Sequence, residues 1–358
     1  KNIQQIKNGA LVYYSISHEG KIFQEKVEQY WHYPQTTRKI KYQEAVEEFR
    51  NLLTDAVNTR LAEEVDFAVM ISGGLDSSSV ASFAAKYNSS KYITSISAVY
   101  PGDEKDESYF AKLVTDKYSN LNPIWVNDIN HEKFHENIND VIYHLESPIA
   151  DGSLIAQHIL MKKIREKDIK VILSGNGGDE VLAGYPTIFL PAYELEEWKN
   201  GKFSFPTFRT LYHLLPNAIK NYMYKEKHKK LGILKNDKIL KHNWKRFYDF
   251  GTDDKLNNYL INGLEHWTLP NLMWYEDRNS MAASIESRCP LLDYRIVEFL
   301  LSIPASYKIN KNFTKRILRD AAKNVVPQPI LDRTDKQGFH APTNKWVEYI
   351  DKNFLKDS

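Results

Sequence analysis

The chain has 358 residues, 42% hydrophobic and 26% charged, with a formal net charge of +2 and a single cysteine, which allows a substantial core in one large domain or two modest ones. Near charge balance gives no global electrostatic case for nucleic acid, and no run approaches the roughly 20 apolar residues of a membrane-spanning helix. With no secretory pattern at the start and a lone Cys289 that rules out an internal disulfide framework and reads as a small buried residue, the expected compartment is the cytoplasm.

In chain order, Ala10 to Ser17 and Lys21 to Tyr30 are rich in β-branched and aromatic residues and flank His18-Glu19-Gly20, which predicts a hairpin. From Tyr42 to Leu61 the apolar residues Val46, Phe49, Leu53, Val57 and Leu61 recur at helical spacing, so an amphipathic helix with one face on a core is predicted. The nearly continuous apolar run Val65 to Ile71 fits a parallel strand covered on both faces. Further strands are predicted at Tyr92 to Val99, Pro123 to Val126 and Ile169 to Leu173. They alternate with helices around Ser77 to Tyr87, Asp106 to Tyr118, His131 to Leu145 and Leu154 to Lys167. This alternation predicts an α/β fold, a doubly wound parallel sheet. After Tyr185 the strand signals fade, and aromatic-rich helical segments should pack beside the sheet. The basic stretch Lys225 to Lys230 reads as a solvated face.

The first predicted buried strand runs into Ser72-Gly73-Gly74-Leu75-Asp76-Ser77-Ser78. Glycines there let the backbone approach phosphate oxygens, the following helix presents unpaired amides, and serine hydroxyls add donors. The alternative, an ordinary tight turn with a serine cap, does not account for so many hydroxyl and acidic groups in one short segment. The lysine of the G-x-x-x-x-G-K-[ST] loop is missing, so transfer of the γ-phosphate is not implied. The loop instead resembles the pyrophosphate loop of adenylating enzymes such as asparagine, argininosuccinate and GMP synthetases. A second glycine loop, Ser174-Gly175-Asn176-Gly177-Gly178-Asp179-Glu180, follows the Ile169 to Leu173 strand. Ligands bind at the carboxyl edge of open α/β sheets, so Asp76 and Asp179 could converge on one magnesium ion bound to phosphates. Alternatively, Asp179 and Glu180 simply charge the first turn of a helix.

Together the loops resemble the synthetase domain of the asparagine synthetase family. Further matching blocks are Arg278 to Ala282, Ser284 to Asp293, Lys315 to Arg319 and Arg333 to Phe339, and the resemblance spans about residues 5 to 350. It implies an adenine nucleotide alpha hydrolase-like fold with an α/β core at about 41–190 and a helical part at about 191–358. It also implies ATP and Mg2+ as cofactors: Ser72, Gly73, Gly74, Asp76, Ser77 and Ser78 would bind the phosphates, with Asp76 and Asp179 on the metal. Met70, Ser174 and Gly175 would lie near the adenosine, with Ser97 or Ala98 against the base. Lys336 matches the lysine that stabilises charge during adenylation and amide formation. Arg278, Glu286, Arg288 and Asp293 either line the acceptor site or form an ion-pair network bracing the helical half; of these, Arg288 and Glu286 are taken as substrate-binding.

The implied reaction activates a carboxylate as an acyl-adenylate, which ammonia or an amine then converts to an amide. Aspartate to asparagine is the leading reaction, with a sugar acid, or closure of a peptide or β-lactam ring, as alternatives, and an ATP-binding module without catalysis as a reading from another class. Two departures from the family bear on this. Asparagine synthetases usually carry glutamate where this chain has Asn176, and an amide cannot accept a proton at neutral pH. Asn176 would then hydrogen-bond an acceptor while Glu180 or water handles the proton. The family's glutaminase domain begins with a nucleophilic cysteine, whereas this chain begins with Lys1, and residues 1–40 resemble the last hairpin and linker of that domain. The expected partners are therefore a small carboxylate, ammonia, and a glutaminase domain or subunit. A homodimer is left open, and no nucleic acid or membrane is expected.

Overall fold

The computed structural model describes residues 6–61, 65–149, 151–199, 201, 211, 247–310, 313–335 and 338–347. The expected hairpin forms from β1 (Ala10–Ile16) and β2 (Ile22–Gln29), paired antiparallel. It is tied to the body through Trp31 Nε1, which donates to Glu298 at 2.6 Å, and Asn8, which donates to Glu265 at 2.9 Å. Several of its apolar side chains face outward, with Ile16 71% and Ile22 67% exposed.

The main sheet is parallel, in the order β5 (Leu121–Val126), β4 (Ile93–Ala98), β3 (Phe67–Met70), β6 (Val171–Leu173), β7 (Glu286–Arg288). Alternation along each strand feeds two apolar cores, one per face. Phe67, Val69, Val171 and Leu173 join one core; Ala68, Met70, Ile172 and Ile96 join the other. On the first face lie α1 (Tyr42–Arg60) and α2 (Leu75–Tyr87). There the predicted stripe Phe49, Leu53 and Val57 is fully buried, each side chain contributing about 1.5–3 kcal/mol. On the second face lie α3 (His131–Leu145), capped by Asn130 accepting from the Lys133 amide at 3.0 Å, and α4 (Ser153–Arg165). Both faces are thus covered, as a doubly wound sheet requires.

The chain moves outward from β3 through β4 and β5, then returns across β3 to place β6 on its other side. Strand order therefore reverses between β3 and β6, and a crevice opens at their carboxyl ends. The C-terminal half is mainly helical among its described residues. Its helix Tyr294–Ser302 packs Phe299 on Phe49, with ring centroids 6.3 Å apart. The exception is β7, which joins the sheet although strand signals fade after Tyr185. Glu286-Ser287-Arg288 has no apolar side chain, and its pairing with β6 rests on backbone hydrogen bonds that composition does not encode. Among the described residues no helix is long and apolar enough to cross a membrane. The basic stretch Lys225 to Lys230 lies outside the described residues.

Candidate active site

The two glycine loops meet in the crevice, and the glycines are what allow it. A Cβ on Gly175 would sit 2.5 Å from the Ser77 nitrogen, and one on Gly178 would sit 2.5 Å from the Asp76 carboxyl carbon. The second loop therefore lies directly against the start of α2. Within the first loop, the Ser72 amide donates to Ser77 Oγ at 3.1 Å, and the two hydroxyl oxygens are 2.9 Å apart. The Gly73 carbonyl accepts from Arg333 Nη1 at 3.1 Å, while Arg333 Nη2 is 2.6 Å from Glu107.

Asp76 and Asp179 approach one another, and a lysine stands between them. Lys315 Nζ lies 2.5 Å from Asp76 Oδ2 and 2.6 Å from Asp179 Oδ1. The Lys315 backbone has φ +56°, a left-handed conformation uncommon for lysine, immediately before the helix Arg316–Ala321. Burial opposes its ammonium, but Asp179 and Asp76 outweigh burial and hold its pKa above the ordinary lysine value. A side chain at Gly184 would strike both Asp179 and Lys315, so this glycine leaves room for the contact.

A second polar group surrounds Glu276, on the helix Leu269–Ala282 and only 3% exposed. Its carboxylate accepts from Asn176 Nδ2 at 2.8 Å, from Ser287 Oγ at 2.5 Å and from Gln157 Nε2. Burial raises its pKa despite these donors. Nearby Glu180, also buried, accepts from the Tyr185 hydroxyl at 2.7 Å; burial first, and then the charge of Asp179, push its pKa up.

These groups surround a cavity of about 440 Å³. Of the expected site residues, Met70, Ser72, Gly74, Asp76 and Ser77 line it from the first loop, and Ser174, Gly175, Asn176, Asp179 and Glu180 from the second. Gly73 and Ser78 do not: Ser78 is fully buried in α2. Ser97 is buried, with its hydroxyl donating to the Ile71 carbonyl at 2.7 Å, and Ala98 borders a smaller adjoining space with Ser72 and Phe339. Arg288 and Glu286 also lie off the cavity lining. They pair with each other at 2.8 Å, and Arg288 Nη1 donates to the Arg60 carbonyl at 2.9 Å. Asp293 meets Arg60 at 2.7 Å and Arg295 at 2.9 Å, and Arg278 meets Glu146 at 3.3 Å. Lys336 lies outside the described residues, although Asp335 and Gly338 on either side line the cavity. Cys289 is partly buried, and burial raises its thiol pKa to about 12.

Sequence reasoning missed Gln157, Glu276, Lys315 and Arg333 as parts of the site. Lys315 and Arg333 sit within matched blocks, but nothing in their spacing points to Asp76 or Gly73. Glu276 carried a weak signal, as an acid directly after the apolar and aromatic run Leu272-Met273-Trp274-Tyr275.

A family model described as asparagine synthase matches residues 48–357. Asparagine synthetase [glutamine-hydrolyzing] 3 of Bacillus subtilis is 27% identical over 317 residues, covering 85% of this chain and 50% of that protein. Amidase chyE of Penicillium rubens is 26% identical over 365 residues, covering 85% of this chain and 53% of that protein. This chain therefore spans about half the length of the curated relatives it matches. Among solved structures, the NMN synthetase from Francisella tularensis is similar at a TM-score of 0.28 and 16% identity, covering 68% of this chain and 97% of that one. With the family model matching over most of its length, the chain belongs to the asparagine synthase family.

Proposed function

We propose that this chain is an ATP-dependent amide ligase that activates a carboxylate as its acyl-adenylate and transfers it to ammonia. The observation that carries this reading is the meeting of Asp76 and Asp179 in a cavity lined by two glycine loops at the strand reversal. Donors from Ser72, Ser77 and the α2 amides would hold the triphosphate. Asp76 and Asp179 fit a small cation, since one ammonium already contacts both, and they would hold Mg2+. Bound there, the ion supplies charge neutralisation on the phosphates. Lys315, Arg333 and, by resemblance, Lys336 would offset the remaining negative charge as the substrate carboxylate attacks the α-phosphorus and pyrophosphate leaves. In the second step the nitrogen bonds to the acyl carbon and the bond to AMP breaks. The surplus proton passes to Glu180, whose raised pKa suits an acceptor, or to water.

Aspartate is the leading acid. A different carboxylate is the second reading, favoured by Arg288 being paired with Glu286 off the cavity lining. The ammonia would come from a glutaminase domain or subunit, and the outward apolar side chains of the β1–β2 hairpin suit such a neighbour. Exchange of labelled pyrophosphate into ATP tests the reading, with L-aspartate first and a panel of other acids after it, and Asp76→Ala as control. Exchange with one acid, lost in the control, is expected. Tight ATP binding with no exchange across the panel would favour a binding module instead.

A further inference from the structure

The amide at position 176 has a fixed direction, set by a relay of buried groups. A carbonyl only accepts, so Asn279 must present Nδ2 to the Leu154 carbonyl, at 3.1 Å. The same Nδ2 donates to Gln157 Oε1 at 2.9 Å, which turns Gln157 Nε2 toward Glu276 Oε2. Asn176 Nδ2 donates to that same carboxylate oxygen. Gln157 Nε2 donates to that oxygen and Ser287 Oγ to the other, so both oxygens of Glu276 serve as acceptors here. With Nδ2 committed, Asn176 Oδ1 is the end left open to the cavity that Asn176 lines, and it has no partner among the described residues. The backbone is fixed as well: the Asn176 amide donates to Ser174 Oγ at 3.2 Å, and Gly177 beside it has φ +88°.

We propose that Glu276 is a positioning residue for amide formation, holding Asn176 so that its carbonyl oxygen accepts an N–H of the incoming ammonia and aims the nitrogen at the acyl carbon. The inference rests on the ligase reading above. An amide at this position takes no proton but still orients the nucleophile, and a fixed acceptor at the point of attack acts through geometry. Glu276 works through its hydrogen bonds and stays out of proton transfer. Glu276 lines the same cavity, but its two oxygens are engaged by Asn176, Gln157 and Ser287, so the proposed role runs through Asn176.

Two partial reactions of the full chain separate this role from its alternatives: pyrophosphate exchange, and amide formation from ATP, ammonium chloride and the acid that supports exchange. Asn176→Leu keeps the volume and removes the acceptor. It should leave exchange within about threefold of wild type and lower kcat/KM for ammonia roughly tenfold, equivalent to about 1.4 kcal/mol, the upper end of what one hydrogen bond contributes. Glu276→Gln can still accept from Asn176 and Gln157 at one oxygen, and should keep amide formation within about threefold with an unchanged pH profile. Glu276→Leu should match Asn176→Leu in the second step; if it does not fold, the other two variants still decide. Ammonia kinetics unchanged in Asn176→Leu, or exchange and amide formation falling together, would overturn the proposal while leaving the ligase reading intact. A dead Glu276→Gln that still performs exchange would overturn it by making Glu276 a proton acceptor. Absence of exchange in the wild type with every acid would remove the ligase reading, and this proposal with it.

Discussion

Replacing Lys315 with methionine isolates the charge balance at the nucleotide end. The side chain keeps its approximate length and loses its ammonium, so Asp76 and Asp179, with side chains 12% and 14% exposed, lose their shared cation. Removing one partner from a buried ion pair costs about 3–5 kcal/mol, mostly from the charge left behind. At about 2.1 cal/mol/K of unfolding entropy per residue, 358 residues give about 0.75 kcal/mol/K, so the melting temperature should fall by about 4–7 °C. The sign of the pH dependence follows from the shifts. Lys315 has a raised pKa, so its contribution in the wild type is fully present below the unfolded lysine value and is lost only as pH rises through the raised one. In the variant the two carboxylates repel each other when both are ionised, so the variant loses stability as rising pH ionises both. The deficit between Lys315→Met and wild type should therefore widen from pH 5 to pH 8, read by calorimetry in a chelator at constant salt. Equal melting temperatures at pH 8, or a deficit that shrinks as pH rises, would refute the reasoning.

Two other substitutions test the geometry around the site. Gly175→Ala puts a Cβ 2.5 Å from the Ser77 nitrogen and 2.8 Å from the Asp76 carbonyl carbon, both backbone atoms, so the loops must separate. A stability loss of about 1–3 kcal/mol should accompany a fall in ATP affinity of roughly tenfold or more, measured by titration calorimetry; unchanged ATP affinity would mean that the loops do not meet as described. Lys308 is fully buried, with Nζ donating to the Leu300 and Ile303 carbonyls at 2.6 and 2.9 Å, and burial lowers its pKa to about 8. Between pH 8 and about 10.4 the unfolded chain then binds the extra proton, so wild-type stability should rise relative to Lys308→Met, on the order of 3 kcal/mol across that window. Urea unfolding at both ends of the window that shows no relative gain would contradict the burial of this ammonium.

Much of the frame was legible because it rests on local pattern. The helix of Val46, Phe49, Leu53 and Val57, the buried strand before Ser72 and the outline of both glycine loops each follow from a few consecutive residues with one period or one turn chemistry. The illegible parts join residues far apart in the chain. Lys315 reaches Asp76 across 239 positions, and Glu276 reaches Asn176 across 100. No propensity or spacing encodes such contacts, because they exist only after the sheet has brought its carboxyl edge together. Arg288 shows the converse: its block matched the family, yet its guanidinium stays with Glu286 and the Arg60 carbonyl. A charge inside a matched block identified a region, and its neighbours in space decided its contacts.

The two ends of the cavity are neutralised by different means. At the nucleotide end carboxylates meet cations: Asp76 and Asp179 with Lys315, Glu107 with Arg333. Cations at such contacts can be exchanged for others of like charge, and a triphosphate arriving with its metal brings both signs at once. At the Glu276 end the donors are the neutral side chains of Asn176, Gln157 and Ser287. Neutral donors fix direction without supplying charge, so this end favours an N–H donor over a second anion. In the proposed reaction, charge-altering substitutions at the end lined by Asp76 and Asp179 should therefore fall on adenylation, whereas substitutions that only redirect a hydrogen bond near Glu276 should fall on the attack by nitrogen. That division follows from what surrounds each carboxylate.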